Sequence, residues 1–181
     1  MFAVVQNGNI VQTIQPDVAF TIGEKQYSAR FIRNATEAER KAVGVYEIIQ
    51  GEQKDQRFYW VTGPTYLVNE VNQTVEATYT AIAKELEDKT ETPEGATEPV
   101  TTKGLKSQWI AQAKATAGSM LAASDWKVVR AAEGVKPVDA ETTAFRAAVR
   151  AYSDSLEAAI SGAADVPALM EVLNNQNWPK E

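Results

Sequence analysis

The chain changes character on either side of residues 89–103, KTETPEGATEPVTTK. That stretch holds two Pro, one Gly and five Thr, and Val100 is its one large apolar residue. A segment of this kind has no apolar face to bury, and its composition predicts a linker. Before it, β-branched and aromatic residues dominate. After it, Ala supplies 18 of the 78 residues from 104 to 181. Ala is the best helix former and a poor strand former. The expected fold is therefore α+β: a small β-rich N-terminal domain with one short helix over 1–88, a linker over 89–103, and an all-α helical hairpin domain over 104–181.

Within the first half, Asn7-Gly8-Asn9 separates two apolar runs, Phe2–Gln6 and Ile10–Ile14. Asn-Gly readily takes the positive φ angles of a tight hairpin turn. Further strands are expected at Val18–Ile22, Tyr27–Ile32, Val45–Gln50, Gln56–Thr62 and Tyr66–Asn72. Thr36 and Glu39 have the spacing of a capping box, and Gly44 suits the left-handed residue that closes a helix. One or two helical turns are thus predicted over 36–44, and a short helix over 76–88.

In the second half, Leu105, Trp109, Ala113, Ala117, Met120 and Leu121 recur at helical spacing, predicting a helix over 104–123. A second helical segment, Trp126–Glu133, is expected behind Ser124 and Asp125 and is stopped by Gly134, with Pro137 preventing a restart. Asp139 is expected to cap a long helix over 140–161. Its predicted buried face is Phe145, Ala148, Val149, Tyr152, Leu156, Ala159 and Ile160, with Arg146, Arg150, Asp154 and Glu157 opposite. Asp165, with Pro167 close behind, predicts a last short helix through Leu173. Trp109 and Trp126 are expected in the core.

Chemistry is narrowed by what is missing. There is no Cys, so no disulfide, thiolate nucleophile or cysteine-ligated metal. There is no His, so the commonest general base near neutral pH is absent and a Ser-His-Asp site cannot be assembled. The sequence contains no Gly-x-Gly, no Walker phosphate loop and no calcium-loop motif. Carboxylate pairs such as Glu37/Glu39 and Glu85/Glu87 read as solvated helical turns. The expectation is a non-enzymatic protein with no catalytic residue, no cofactor and no metal site. Lys and Arg number 18 against 24 Asp and Glu, a net charge of −6, which argues against gripping nucleic acid. No basic leader and no run of about 18 apolar residues is present, so no membrane partner is expected. The expected location is the cytoplasm, or a particle assembled there.

Three aromatic residues are candidates for partner binding. Arg57-Phe58-Tyr59-Trp60, read as a strand, sends Phe58 and Trp60 one way and Arg57 and Tyr59 the other. Tyr59 and Trp60 are the candidates here, for a protein or a sugar. Trp178 lies in the polar tail NNQNWPKE beyond the last helix, where an aromatic either makes a good anchor for a partner pocket or folds back onto the helical hairpin.

The run Leu121-Ala-Ala-Ser124-Asp125-Trp126-Lys-Val-Val-Arg130-Ala-Ala-Glu133-Gly134, followed by Phe145-Arg146-Ala-Ala-Val149-Arg150 and by Asn177-Trp178-Pro179, carries a resemblance. It resembles the C-terminal module of tailed-bacteriophage tail assembly chaperone and tail-fibre-associated proteins. Phe145 stands where Tyr is commoner in that pattern, and Val135-Lys136-Pro137 follows the Gly. Phe20-Thr-Ile-Gly23, Tyr27–Ile32, Glu39–Val45 and Asp55–Tyr59 are similar to small domains of phage proteins encoded near tail-fibre genes. The resemblance implies a role in folding, trimerising or attaching tail fibres, in the host cytoplasm during assembly or as a part of the virion tail. Its partners would be a tail-fibre or baseplate protein, and possible further copies of the chain. A carbohydrate-binding module using Tyr59 and Trp60 is the alternative.

Overall fold

A computed structural model describes residues 1–95 and 97–180. The fold is mixed α+β, with six helices among the described residues and a curled five-stranded sheet. The chain divides into two compact units, Met1–Ile82 and Ala83–Glu181.

The first unit is built on β1 (Phe2–Gln6), β2 (Asn9–Ile14), β5 (Val45–Gln50), β6 (Tyr59–Asn69) and β7 (Thr74–Ala83), in the order β2-β1-β5-β7-β6. β1 runs antiparallel to β2 and β5, while β5 and β7 are parallel. The Asn-Gly turn takes its expected form, with Asn7 at φ 51° and Gly8 at φ 75°. Alternation sorts the apolar residues onto two faces. Val4, Ile14 and Val45 lie on one, beneath Phe20, Tyr27 and Ile32. Ala3, Val5, Ile48, Val75 and Ala77 lie on the other. Ile10 on β2 and Tyr66 and Val68 on β6 all pack against this second cluster, so the sheet curls around it.

β3 (Phe20–Ile22) and β4 (Lys25–Tyr27) form a separate hairpin, followed by α1 (Phe31–Asn34) and α2 (Glu37–Ala42). The capping box is present: Thr36 Oγ accepts from the Glu39 N–H, and the Glu39 carboxylate accepts from the Thr36 N–H. Gly44 sits at φ 78° as the closing residue. The strand expected over Tyr27–Ile32 is instead a strand end, a turn and α1. Tyr27, Phe31 and Ile32 all join one cluster, which a strand would forbid by sending Phe31 and Ile32 to opposite faces. Ring centroids of Phe20 and Tyr27 are 5.1 Å apart, and those of Tyr27 and Phe31 are 4.8 Å apart.

Two further expectations are corrected. Residues 74–83 form β7 and not the start of a helix. Val75 and Ala77 are fully buried while Glu76 and Thr78 are exposed, a period of two that the charges of Lys84 and Glu85 obscure in the sequence. The two strands expected at 56–62 and 66–72 are one strand, β6. Gly63-Pro64 does not end it, because β6 is an edge strand and a proline there need not cost a ladder hydrogen bond.

The second unit opens with β8 (Lys89–Glu91) and β9 (Val100–Thr102), an antiparallel hairpin inside the stretch expected as a linker. Residues 85–88 then cap α3 (Leu105–Ala122): the N–H groups of Leu105 and Lys106 donate to the carbonyls of Glu85 and Leu86, and the Gly104 N–H donates to Asp88. Only glycine fits at 104, since a Cβ would lie 2.3 Å from the Glu87 carbonyl oxygen. α4 (Asp125–Ala132), α5 (Ala140–Gly162) and α6 (Val166–Asn174) follow. Asp139 and Asp165 cap α5 and α6 by accepting from the Thr142 and Ala168 N–H groups. α3 packs on α5, and the core is Leu105, Ala113, Ala117, Val149, Leu156, Ile160, Val166 and Leu169.

Candidate functional site

The corner where α3 passes into α4 holds the most polar chemistry of the second unit. Arg146 on α5 is 7% exposed, although the sequence placed it on the solvent face with Arg150 and Asp154. Its guanidinium donates to the Leu121 carbonyl at 2.7 Å, to Ser124 Oγ at 2.6 Å and to Asp125 Oδ1 at 2.8 Å. Ser124 Oγ in turn donates to the Leu121 carbonyl. α3 ends at this point, leaving its last carbonyls without helical partners. Arg146 adds a charged donor to that end, and it lies on the inward face of α5. The residues buried on α5 are Thr142, Arg146, Val149, Ser153, Leu156 and Ile160; Ala148 and Ala159 are exposed, and Phe145 and Tyr152 are half-buried.

A second cluster joins α4 to the start of α5. Lys127 Nζ donates to Asp139 Oδ2 at 3.0 Å and to Thr142 Oγ1 at 2.6 Å. The Thr142 hydroxyl and backbone N–H, with Lys127, hold the Asp139 carboxyl far below the ordinary aspartate range. Beside this pair runs a groove of about 810 Å³, lined by Lys127, Thr142, Phe145, Ala148, Pro179 and Lys180.

The C-terminal segment lies on the same helix. The Asn177 N–H donates to the Tyr152 hydroxyl at 2.6 Å, and the Trp178 ring meets Tyr152 edge-on at 4.9 Å. Trp178 is half-buried, and the tail is folded back onto α5, as the second of its two readings has it. Trp126, expected in the core, is 56% exposed, and Val129 one turn on is 57% exposed. The inner side of α4 is occupied instead by Lys127 and Arg130, the latter stacked 4.7 Å over the Trp126 ring. Trp109 is half-buried.

In the first unit, Phe58 belongs to a turn and not to a strand. The Asp55 carbonyl accepts from the N–H groups of both Phe58 and Tyr59, and the Asp55 carboxylate accepts from Arg57. Phe58 is 2% exposed and Trp60 is 64% exposed, so they do not share an environment. Tyr59 and Trp60 are successive residues of β6 and project to opposite faces, which leaves no common platform for a sugar ring.

Among the described residues no group of acidic side chains is arranged to hold a metal ion, and no helix is long and apolar enough to cross a membrane. No protein-family model, curated protein or solved structure matches the chain.

Proposed function

We propose that this chain is a non-enzymatic tail protein of a tailed bacteriophage. It binds a tail-fibre or baseplate component, as an assembly chaperone in the host cytoplasm or as an adaptor retained in the virion tail. The observation that carries this reading is the convergence of the three sequence segments that bear the resemblance. Ser124 and Asp125 from the first segment share the guanidinium of Arg146 from the second. Asn177 and Trp178 from the third pack on Tyr152, two helical turns beyond Arg146 on the same helix. Residues up to 54 positions apart thus form one framework built on α5, which is what a pattern with a structural purpose requires. Every polar group of that corner named above is occupied in holding helices together. The framework therefore presents surfaces, with Trp178 as its contact residue; Tyr59 and Trp60 are the contact residues proposed for the first unit.

Co-expression with a tail-fibre protein of the same phage tests the reading. The fibre is expected to be recovered soluble and trimeric only when this chain is present. A fibre that matures equally well alone, with no complex on co-purification, removes the proposal. Mass spectrometry of purified particles then separates adaptor from chaperone by stoichiometric presence or absence.

A further inference from the structure

A groove of about 640 Å³ opens in the first unit between β4, α1 and α2. Phe31, Ala35 and Val43 form its apolar part, and Lys25, Tyr27 and Arg30 bring hydrogen-bond donors to it. Tyr27 is 8% exposed, yet its hydroxyl has no hydrogen-bond partner among the described residues. The charge here is unlike that of the rest of the chain. From Glu24 to Lys41 five cations stand against three carboxylates, in a chain of net charge −6. Three of the five are engaged: Arg33 pairs with Asp17, Lys41 pairs with Glu37, and Arg40 donates to the Ile32 and Ala35 carbonyls. Lys25, 5.1 Å over the Tyr27 ring, and Arg30 make no ion pair among the described residues. Of the carboxylates, Glu39 also lines the groove, but its oxygens accept from the Thr36 N–H and hydroxyl. Glu24 lies in the β3–β4 turn and is not part of the lining. The groove thus offers two unmatched cations and an uncharged donor beside an apolar floor, which complements a segment carrying carboxylates.

The second unit carries such a segment. The β8–β9 hairpin is exposed at every described residue from Glu87 to Lys103. Most of its charges are used close to its base: Glu91 pairs with Lys89, Glu87 pairs with Lys106, and the Asp88 carboxylate accepts from the Gly104 N–H. Lys103 follows β9 at that base. Glu94 and Glu98, in the turn between the strands, make no ion pair among the described residues. Two unmatched carboxylates four residues apart therefore stand on a turn with no packing role in its own unit, with Val100 55% exposed beside them. We propose that the groove receives the β8–β9 turn of a second copy of this chain, where Glu94 and Glu98 meet Lys25 and Arg30. Groove and turn belong to different units, so the contact is head-to-tail: each copy gives its turn to one neighbour and its groove to another. The inference stands independently of whether the chain binds a tail fibre.

The test is the solution mass of the full chain, by light scattering and sedimentation, at concentrations up to about 1 mM. The mass is expected to rise from 19.8 kDa past that of two copies, and to fall back in about 0.5 M salt, which screens exposed charges. A groove variant, Lys25→Glu with Arg30→Glu, and a turn variant, Glu94→Lys with Glu98→Lys, each weaken association by about fivefold or more. All four side chains are exposed, so melting at low concentration is expected to stay unchanged. A mixture of the two variants decides the geometry. The groove variant keeps an intact turn and the turn variant keeps an intact groove, so the mixture is expected to form a one-to-one pair that neither forms alone. Should the groove variant fail to fold, Lys25→Gln with Arg30→Gln takes its place. A monomer at every concentration overturns the proposal, as does an oligomer indifferent to both variants or a mixture that stays monomeric. Because the chain has no cysteine, Arg30→Cys with Glu94→Cys gives a second readout: oxidation is expected to link separate copies, and a disulfide closed within one copy overturns the proposal. A monomer that binds the fibre through this groove also overturns it, while leaving the proposed function intact.

Discussion

Arg146 shows how a charged side chain can lie on the inward face of a helix. Its guanidinium satisfies the Leu121 carbonyl and Ser124 Oγ in a site where water has little access. Arg146→Ala removes this buried charged donor from both groups, and is expected to destabilise the second unit by about 1.5–3 kcal/mol. Asp125 is the exposed partner of the same pair, its side chain 59% accessible, so Asp125→Ala is expected to cost under about 1 kcal/mol. Thermal or urea melting of the two variants checks the contrast, and equal losses would show that the ion pair and not the buried hydrogen bonds matters. Asp139 supplies a pH dependence. Its carboxyl is held below its ordinary value by Thr142 and then by Lys127, so the folded state favours the ionised form. That contribution is complete above the unfolded pKa of about 3.9 and is lost progressively as pH falls below it. Asp139→Asn keeps a capping residue but loses the charge. The melting difference between wild type and this variant is expected to be largest near neutral pH and to shrink on acidification below pH ~4.

At the level of elements, the caps and short-range patterns act locally and the faces do not. Thr36, Glu39 and Gly44 define α2, and Asp139 and Asp165 define the starts of α5 and α6, each through bonds to backbone within a few residues. The same local logic fails for the C-terminal tail. Trp178 has no periodic neighbours, yet it docks on Tyr152, 26 residues earlier in the chain. Trp178→Ala is expected to lower stability by about 1–2 kcal/mol, from the lost aromatic pair and partial burial. Tyr152→Phe, which removes only the hydroxyl that accepts from Asn177, is expected to cost about 0.5–1.5 kcal/mol. If neither change moves the melting curve, the docked tail contributes nothing to the fold and Trp178 is free to serve a partner.

For the whole molecule, the two units have separate cores. The first is built around Val4, Val45, Ile48 and Val75, the second around Leu105, Val149, Ile160 and Leu169. Every described residue from Glu87 to Lys103 is exposed, including the β8–β9 hairpin. Limited proteolysis is therefore expected to cut first in the turn between Glu91 and Val100, where little packing resists opening. A first cut within Val45–Gln50, which lies inside the sheet, would contradict this ordering of stability. A fragment spanning 83–181 is expected to be helical by circular dichroism and to melt cooperatively, since it retains α3 through α6 together with the 85–88 segment that caps α3.

Much of this architecture was legible along the chain because its causes are local. The Asn7-Gly8 hairpin, the capping box at Thr36, the stripe Leu105–Leu121 and the caps at Asp139 and Asp165 depend on residues a few positions apart, and composition alone separated a β-rich half from an Ala-rich one. What tertiary contacts decided is which face turns inward and which distant groups meet. Arg146 reads as a surface residue by charge, and Trp126 reads as core by hydrophobicity. The Leu121 carbonyl and Ser124 Oγ at the end of α3 accept a buried charged donor, and Lys127 of α4 is turned inward onto Asp139 and Thr142. Those contacts arise only when α3, α4 and α5 are brought together, and there hydrogen bonding outweighs the hydrophobic preference of either side chain alone.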